Sequence, residues 1–79
     1  MAKKAFHLIF PQELIQEPIM FLVARDNNLT LNIRRAKITK VAGEATVELE
    51  GKPDDLAKAE RVFKERGVRV ENVLGDVIE

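Results

Sequence analysis

The sequence of 79 residues predicts a single α+β domain, spanning residues 1–79. Three observations support this prediction. Four short segments alternate apolar and polar residues with the period of a β-strand, two others space their apolar residues as an α-helix does, and the two kinds of segment follow one another in a recognisable order. A chain of this length forms one domain with a thin core.

The first strand and the first helix are delimited by prolines. Apolar residues alternate over residues 5–10, which predicts a strand, and Pro11 ends it because proline has no N–H to donate to a neighbouring strand. A loop is expected up to Pro18, which begins a helix over residues 18–27, since the first helical N–H has no partner in any case. Two asparagines at the end of this range favour termination, because asparagine tolerates the left-handed conformation of helix C-termini.

A long second strand, over residues 29–41, is predicted to contain an irregularity. Its apolar residues change phase between Ile33 and Ala36. Such a change is typical of a β-bulge, which adds one residue to a strand without ending it. We therefore expect a bulge near Arg34 and Arg35.

A tight turn at Ala42 and Gly43 is predicted to join this strand to the next, over residues 44–50. The pairs in that register are Ile38 with Val47, Ala36 with Leu49, Thr39 with Thr46, Lys37 with Glu48, and Arg35 with Glu50. One face of the hairpin is then apolar and the other pairs opposite charges, each pair contributing ~0.2–1 kcal/mol. A slip of one residue would destroy both patterns.

The second helix is predicted to begin at Pro53, with two aspartates complementing the dipole of its first turn, and to end before Gly67. A short last strand follows at Val68, Val70 and Val73. The order β-α-β-β-α-β is that of the ferredoxin-like sandwich, in which two helices cover one face of a four-stranded antiparallel sheet. The other face of the sheet is expected to be uncovered.

Composition excludes several classes of function. With 13 basic and 13 acidic residues the chain has no net charge, and the outward positions of its central strands contain no aromatic residue, so we expect no nucleic-acid binding. The sequence contains no cysteine and no serine, and we expect neither catalysis, nor a metal, nor a cofactor. No segment is suited to membrane insertion or secretion, which predicts a cytoplasmic location.

Two polar residues are candidates for ligand binding. His7, the one histidine, falls on the uncovered face of the predicted sheet, and we interpret it as a solvated strand residue in preference to a ligand contact.

Asn32 interrupts an apolar run beside the predicted bulge. Its amide offers a donor and an acceptor for the carboxylate or amine of an amino acid, or else it satisfies backbone groups at the bulge. The spacing favours neither interpretation.

The stretch around Asn32 resembles the signature region of the NIL domain family. The resemblance rests on Asn32-Ile33-Arg34 within residues 26–38 and covers residues 5–73. Further matching stretches are Phe10-Pro11-Gln12-Glu13-Leu14, Glu17-Pro18-Ile19 and Glu65-Arg66-Gly67-Val68-Arg69-Val70. The family has a leucine at the third position of the signature, where this chain has Arg34.

This resemblance implies a ferredoxin-like fold and one of two settings. NIL domains occur at the C-terminus of the ATPase subunits of methionine ABC importers, where they are taken to bind methionine and inhibit transport. They also precede two-cluster ferredoxin modules in proteins linked to sulfur assimilation, and the short hairpin of this chain is more similar to that branch. Since the sequence ends at Glu79 with neither module, we expect a separate subunit or an excised domain, with any redox chemistry supplied by a partner.

Together, the residues and the resemblance predict a regulatory domain that senses methionine or a related sulfur amino acid. The resemblance implies Asn32 as the polar contact, and we expect Leu31, Ile33 and Met20 to form the apolar lining. A homodimer is expected, with the ligand between the two copies. The alternative is an interaction module without a ligand, which docks onto a ferredoxin-type, sulfur-transfer or transporter partner.

Overall fold

The computed structural model describes residues 2–15 and 17–73 and confirms the ferredoxin-like α+β fold. The elements are β1 (Ala2–Pro11), α1 (Ile19–Asp26), β2 (Thr30–Ile38), β3 (Ala42–Gly51), α2 (Pro53–Glu65) and β4 (Arg69–Asn72). A single 3₁₀ turn, Gln12–Leu14, follows β1. The strands form one antiparallel sheet in the order β2-β3-β1-β4, so the first and third strands of the chain lie at its centre.

The core lies between the helices and the two central strands. β1 and β3 pair along their whole length, and every second side chain of each is directed towards the helices. Phe6 is 1 % exposed, and Leu8 and Val47 are 0 % exposed. The helices contribute buried side chains to the same cluster, namely Ile19, Val23, Ala24, Leu56, Ala59 and Phe63. The alternation of the strands and the spacing of the helices thus meet in one apolar layer.

α1 begins one residue later than predicted. Pro18 is its N-cap, outside the helix, and Ile19 is the first helical residue. At the other end Asn28 adopts a left-handed conformation, with φ of 58°, which agrees with the expectation that asparagine ends this helix. The neighbouring Asn27 is buried, and its Nδ2 donates to the carbonyl of Val23 at 2.8 Å.

The predicted bulge in β2 is confirmed, but the predicted register of the β2–β3 hairpin is wrong. The bulge lies between Ile33 and Arg35, and the turn lies at Lys40 and Val41 rather than two residues later. Gly43 is therefore inside β3. The observed pairs are Ile33 with Val47, Arg35 with Thr46, Ala36 with Ala45, Lys37 with Glu44, and Ile38 with Gly43. The pairs of Ile38 with Val47, Ala36 with Leu49, Lys37 with Glu48, and Arg35 with Glu50 do not form.

A threonine determines the position of this turn. The N–H of Thr39 donates to the carbonyl of Ala42 at 2.8 Å, and the Thr39 hydroxyl accepts from the N–H groups of Ala42 at 3.2 Å and Val41 at 3.4 Å. Side-chain bonds of this kind stabilise turns without glycine. The observed register differs from the predicted one by an even number of residues, so every side chain keeps its predicted face. Alternation could not distinguish the two registers.

The last part of the chain follows the prediction with a shorter strand. α2 begins at Pro53, and Gly67 beyond its end has φ of 95°, a conformation that favours glycine. Val68 and Val73 flank β4 instead of belonging to it. No helix in residues 2–15 and 17–73 is long and apolar enough to cross a membrane.

Candidate functional site

An apolar groove opens where α1 and the 3₁₀ turn meet β2. We call it the α1–β2 groove, and its volume is about 260 Å³. Its apolar lining consists of Phe10, Leu14, Ile15, Pro18, Ile19, Met20, Phe21, Leu31, Ile33 and Ile38, with Gly43 and Ala45 beneath them. Phe21 is 57 % exposed, Ile33 48 % and Ile38 64 %. Large apolar side chains of this kind, left uncovered together in a concave surface, mark a binding site.

The groove exists partly because Gly43 has no side chain. Gly43 is buried within β3, opposite Phe10 of β1 and Ile38 of β2. A Cβ placed there would lie 3.7 Å from Cγ1 of Ile38, 3.8 Å from Cδ2 of Phe10 and 3.9 Å from Cγ1 of Ile15. These are ordinary van der Waals contacts, so alanine would fit the backbone but occupy part of the groove.

The bulge in β2 directs two isoleucines into the groove. Ile33 and Ile38 are an odd number of residues apart, and in a regular strand they would face opposite sides of the sheet. Arg34 is the extra residue of the bulge and does not count in the alternation of the strand. Ile33 and Ile38 therefore lie on the same face, and both line the groove. The Arg34 side chain is not part of that lining, and its Nη1 donates to Oε2 of Glu48 at 3.3 Å.

The structure brings together three of the four predicted ligand-binding residues. Met20, Leu31 and Ile33 all line the groove. Asn32 lies on the opposite face of the sheet, where its Nδ2 donates to Oε1 of Glu48 at 3.3 Å. Neighbouring residues of a strand point to opposite faces, so within one chain a ligand in the groove cannot contact both Asn32 and Ile33. A ligand contact by Asn32 stays a prediction.

α1 presents its N-terminus to the groove. The first bond of the helix is donated by the N–H of Leu22 to the carbonyl of Pro18, at 3.0 Å. The N–H groups of Ile19, Met20 and Phe21 precede it and have no partner within the helix. No side chain caps this end, and its first turn contains no acidic residue. Such an end favours an anionic group.

Glu17 places a carboxylate at the rim of the groove, whereas Glu44 belongs to the lining strand but directs its carboxylate to the uncovered face, towards His7. Oε1 of Glu17 accepts from Nη2 of Arg66 at 2.7 Å, and Oε2 of Glu44 is 3.7 Å from Nε2 of His7. Both are exposed to solvent. The groove thus combines an apolar interior with hydrogen-bond donors at one end and negative charge at its rim.

Sequence reasoning missed several residues of the groove. Leu14 and Ile15 fall in the predicted loop, and Gly43 falls in the predicted turn. The signal for the first two was an apolar pair inside a connection, since a solvated loop does not need one. No comparable signal distinguishes Gly43 from a turn glycine.

The uncovered face of the sheet carries polar contacts. His7 lies there, as predicted, with Nδ1 3.1 Å from Oγ1 of Thr46 and Nε2 close to Glu44. Within residues 2–15 and 17–73, no three histidine, aspartate or glutamate side chains are grouped so that they could hold a metal ion.

Comparison with known proteins identifies the family. The sequence profile of the NIL domain matches residues 4–72. This chain belongs to the NIL domain family. A search of curated protein sequences gives no significant match.

A solved structure shows the same fold as this NIL domain. It is the crystal structure of the C-terminal domain of an ABC transporter/ATP-binding protein from Enterococcus faecalis. The match has a TM-score of 0.81 with 19 % sequence identity, and it covers 95 % of this chain and 88 % of that one.

The signature of this NIL domain spans the bulge and both faces of β2. Ile33 points into the groove, whereas Asn32 and Arg34 flank it and both bond to Glu48 on the uncovered face. Arg34 therefore takes no part in the apolar lining of the groove.

Proposed function

We propose that this NIL domain is a cytoplasmic regulatory domain that binds methionine or a related sulfur amino acid in the α1–β2 groove. The groove itself carries the proposal. Ligand pockets commonly measure ~300–1,000 Å³, and a volume of about 260 Å³ suits a molecule the size of an amino acid better than a nucleotide. A regulatory role is supported by the similar fold of a domain from a transporter ATP-binding protein.

The side chain of methionine suits this lining. The thioether is flexible and polarisable, and sulfur makes favourable contacts with aromatic rings. Phe10 and Phe21 contribute rings to the groove, and Met20, Leu31 and Ile33 contribute aliphatic surface. A straight apolar side chain fills such a space without leaving a buried polar group unsatisfied.

The polar end of the ligand lies at the rim in this proposal. The N–H groups of Met20 and Phe21, which have no partner within the helix, are suited to donate hydrogen bonds to the carboxylate. Glu17 provides negative charge for the ammonium group. The chain then acts by binding and not by catalysis.

Calorimetric titration with L-methionine tests this proposal, with L-norleucine and glycine as comparison ligands. We expect methionine to bind, norleucine to bind more weakly, and glycine not to bind. Gly43→Ala should lower the affinity for methionine severalfold with an unchanged free energy of unfolding, because the added methyl group occupies the groove. Asn32→Ala is the matched variant on the other face, and it decides whether the signature asparagine contributes to binding.

Absence of heat, together with an unchanged melting temperature at millimolar methionine, would reject the ligand. A ligand at a hundred times its dissociation constant stabilises the folded state by ~2.7 kcal/mol, which such a melt detects readily. The predicted homodimer is tested in the same samples by sedimentation with and without methionine.

The alternative of a docking module is favoured by one observation, the exposed edge of β2.

A further inference from the structure

We propose that the outer edge of β2 binds an extended segment of a partner protein in which acidic and apolar residues alternate. The segment would add a fifth strand to the sheet. This surface shares Ile33 and Ile38 with the α1–β2 groove and adds the backbone edge of β2 and the charged side chains of the uncovered face, so the inference does not depend on whether the groove binds an amino acid.

The first argument is the unpaired edge. β2 has nine residues, and in the described part of the chain it pairs on one side only, with β3. Every residue of β2 except Leu31 is exposed. A long exposed edge of this kind offers a row of backbone N–H and C=O groups to another strand.

The second argument is charge on the uncovered face of the sheet. Arg35 and Lys37 are exposed there, two residues apart, and Lys40 follows in the turn. None of the three has an ion-pair partner among residues 2–15 and 17–73. The nearby carboxylates of Glu44 and Glu48 contact His7 and Arg34 instead. The edge therefore carries local positive charge in a chain whose net charge is zero.

The third argument is the apolar surface on the other face of the same edge. Ile33 and Ile38 are directed to the groove side and are 48 % and 64 % exposed. A strand beside β2 would alternate its side chains between the two faces in the same way. Residues opposite Arg35 and Lys37 would be acidic, and residues opposite Ile33 and Ile38 would be apolar.

A second copy of the chain fits this edge poorly. Two β2 strands paired antiparallel about a two-fold axis near Ala36 would place Arg35 of each copy opposite Lys37 of the other. Like charges placed opposite each other across a ladder are destabilising. Cationic side chains and bulges are also the devices that protect an edge from self-association. They leave it open to a strand of opposite charge.

Fluorescence anisotropy with a labelled peptide of nine residues, alternating valine and glutamate and blocked at both ends, tests the inference. We expect saturable binding that weakens as salt is added. Arg35→Glu combined with Lys37→Glu should weaken binding by roughly tenfold or more, because two attractions become repulsions. Lys58→Glu combined with Arg61→Glu is the matched control, since both residues are exposed on α2 and the change in net charge is identical. The control should bind the peptide as the unaltered chain does.

Two N-methylated peptides test strand addition itself. One carries methyl groups on the amides of the valines and the other on those of the glutamates. Because only alternate amides of an added strand face β2, one peptide should lose binding and the other should retain it. The double variants should keep their folded circular-dichroism spectrum and their affinity for methionine, which separates this inference from the proposed function.

Four outcomes would overturn the inference. The first is that the peptide does not bind at concentrations up to about 1 mM, and the second is that the α2 control weakens peptide binding as much as the β2 variant does. The third is that the two N-methylated peptides bind equally well. The fourth is that the unaltered chain forms a dimer that dissociates in the Arg35→Glu, Lys37→Glu variant. The last would show that a second copy occupies the edge.

Discussion

The β1–β3 pair and the edge strand β2 belong to one sheet and use similar apolar residues for different purposes. In the central pair, Leu8 and Val47 are 0 % exposed beneath the helices. In β2, Ile33 and Ile38 face the same side of the sheet but remain largely in solvent. Position in the sheet, and not apolar character alone, determines whether an alternating residue stabilises the fold or is available for binding.

This comparison predicts that stability and recognition reside in different strands. Truncation of the buried side chains of the central pair should lower the free energy of unfolding, and truncation of the exposed side chains of β2 should affect binding with little change in that free energy. Leu8 and Ile38 test it directly, and three further comparisons set a buried or paired group against an open or exposed one elsewhere in the fold, in order of the expected effect on stability.

The largest effect is expected for Leu8→Ala. Leu8 is fully buried, so removing its side chain loses apolar burial and leaves a cavity, at a cost of ~2–5 kcal/mol. The matched variant Ile38→Ala, at a residue that is 64 % exposed, should cost less than about 1 kcal/mol. Urea denaturation of both variants measures the difference. Equal losses would contradict the division between centre and edge.

The next effect concerns two glycines of β3. A Cβ at Gly51 would overlap Cδ2 of Leu29 and approach the carbonyl oxygen of Asn28 to 3.3 Å, so Gly51→Ala should cost ~1–3 kcal/mol. Gly43→Ala, with ordinary contacts only, should change the free energy of unfolding by no more than about 0.5 kcal/mol. Thermal melts compare the two. A large loss for Gly43→Ala would mean that the groove is not open space.

Two asparagines provide a smaller contrast. Asn27 is buried and donates to the Val23 carbonyl, so Asn27→Ala should cost ~1–2 kcal/mol. Asn32 makes an exposed hydrogen bond to Glu48, and Asn32→Ala should cost less than about 0.5 kcal/mol. Chemical denaturation under identical conditions makes this comparison. Comparable losses would show that the edge of β2 is more important for stability than its exposure indicates.

The smallest effect depends on pH. Partial burial acts to raise the pKa of Glu60, but the hydrogen bond from Lys64 and the positive charges of Lys4 and Lys64 outweigh it and hold that pKa below its ordinary value. Because the pKa is lower in the folded than in the unfolded state, the ionised carboxylate stabilises the fold at any pH above the ordinary pKa of glutamate. This stabilisation is lost as the pH falls through the pKa of the folded state. Glu60→Gln should therefore cost about 0.5 kcal/mol or less at pH 7 and nothing near pH 3.

The sequence was sufficient to predict the order of the elements and the face of each strand residue. Both follow from local periodicity, which burial on one face imposes on a strand or a helix. The bulge was predicted for the same reason, because a change of phase between Ile33 and Ala36 is visible in one dimension. These features require no knowledge of which residues lie opposite one another.

The hairpin register and the composition of the groove were not predictable in this way. An even shift of register preserves every face, so alternation could not distinguish a turn at Gly43 from one at Lys40 and Val41. The bonds of the Thr39 hydroxyl decide between them. The groove assembles residues from β1, the 3₁₀ turn, α1, β2 and β3, and periodicity within one element does not indicate which elements meet.

The bulge has a further consequence for how the family signature tolerates change. Without Arg34, the side chains of residues 31–38 would alternate regularly between the two faces of the sheet. Arg34 is thus the one residue of this stretch that lies outside the alternation. The side chain at this position points away from the groove and bonds to Glu48. The bulge thus separates two properties that a regular strand would couple, because a change of charge at residue 34 alters the uncovered face and leaves the apolar lining on the other face as it was.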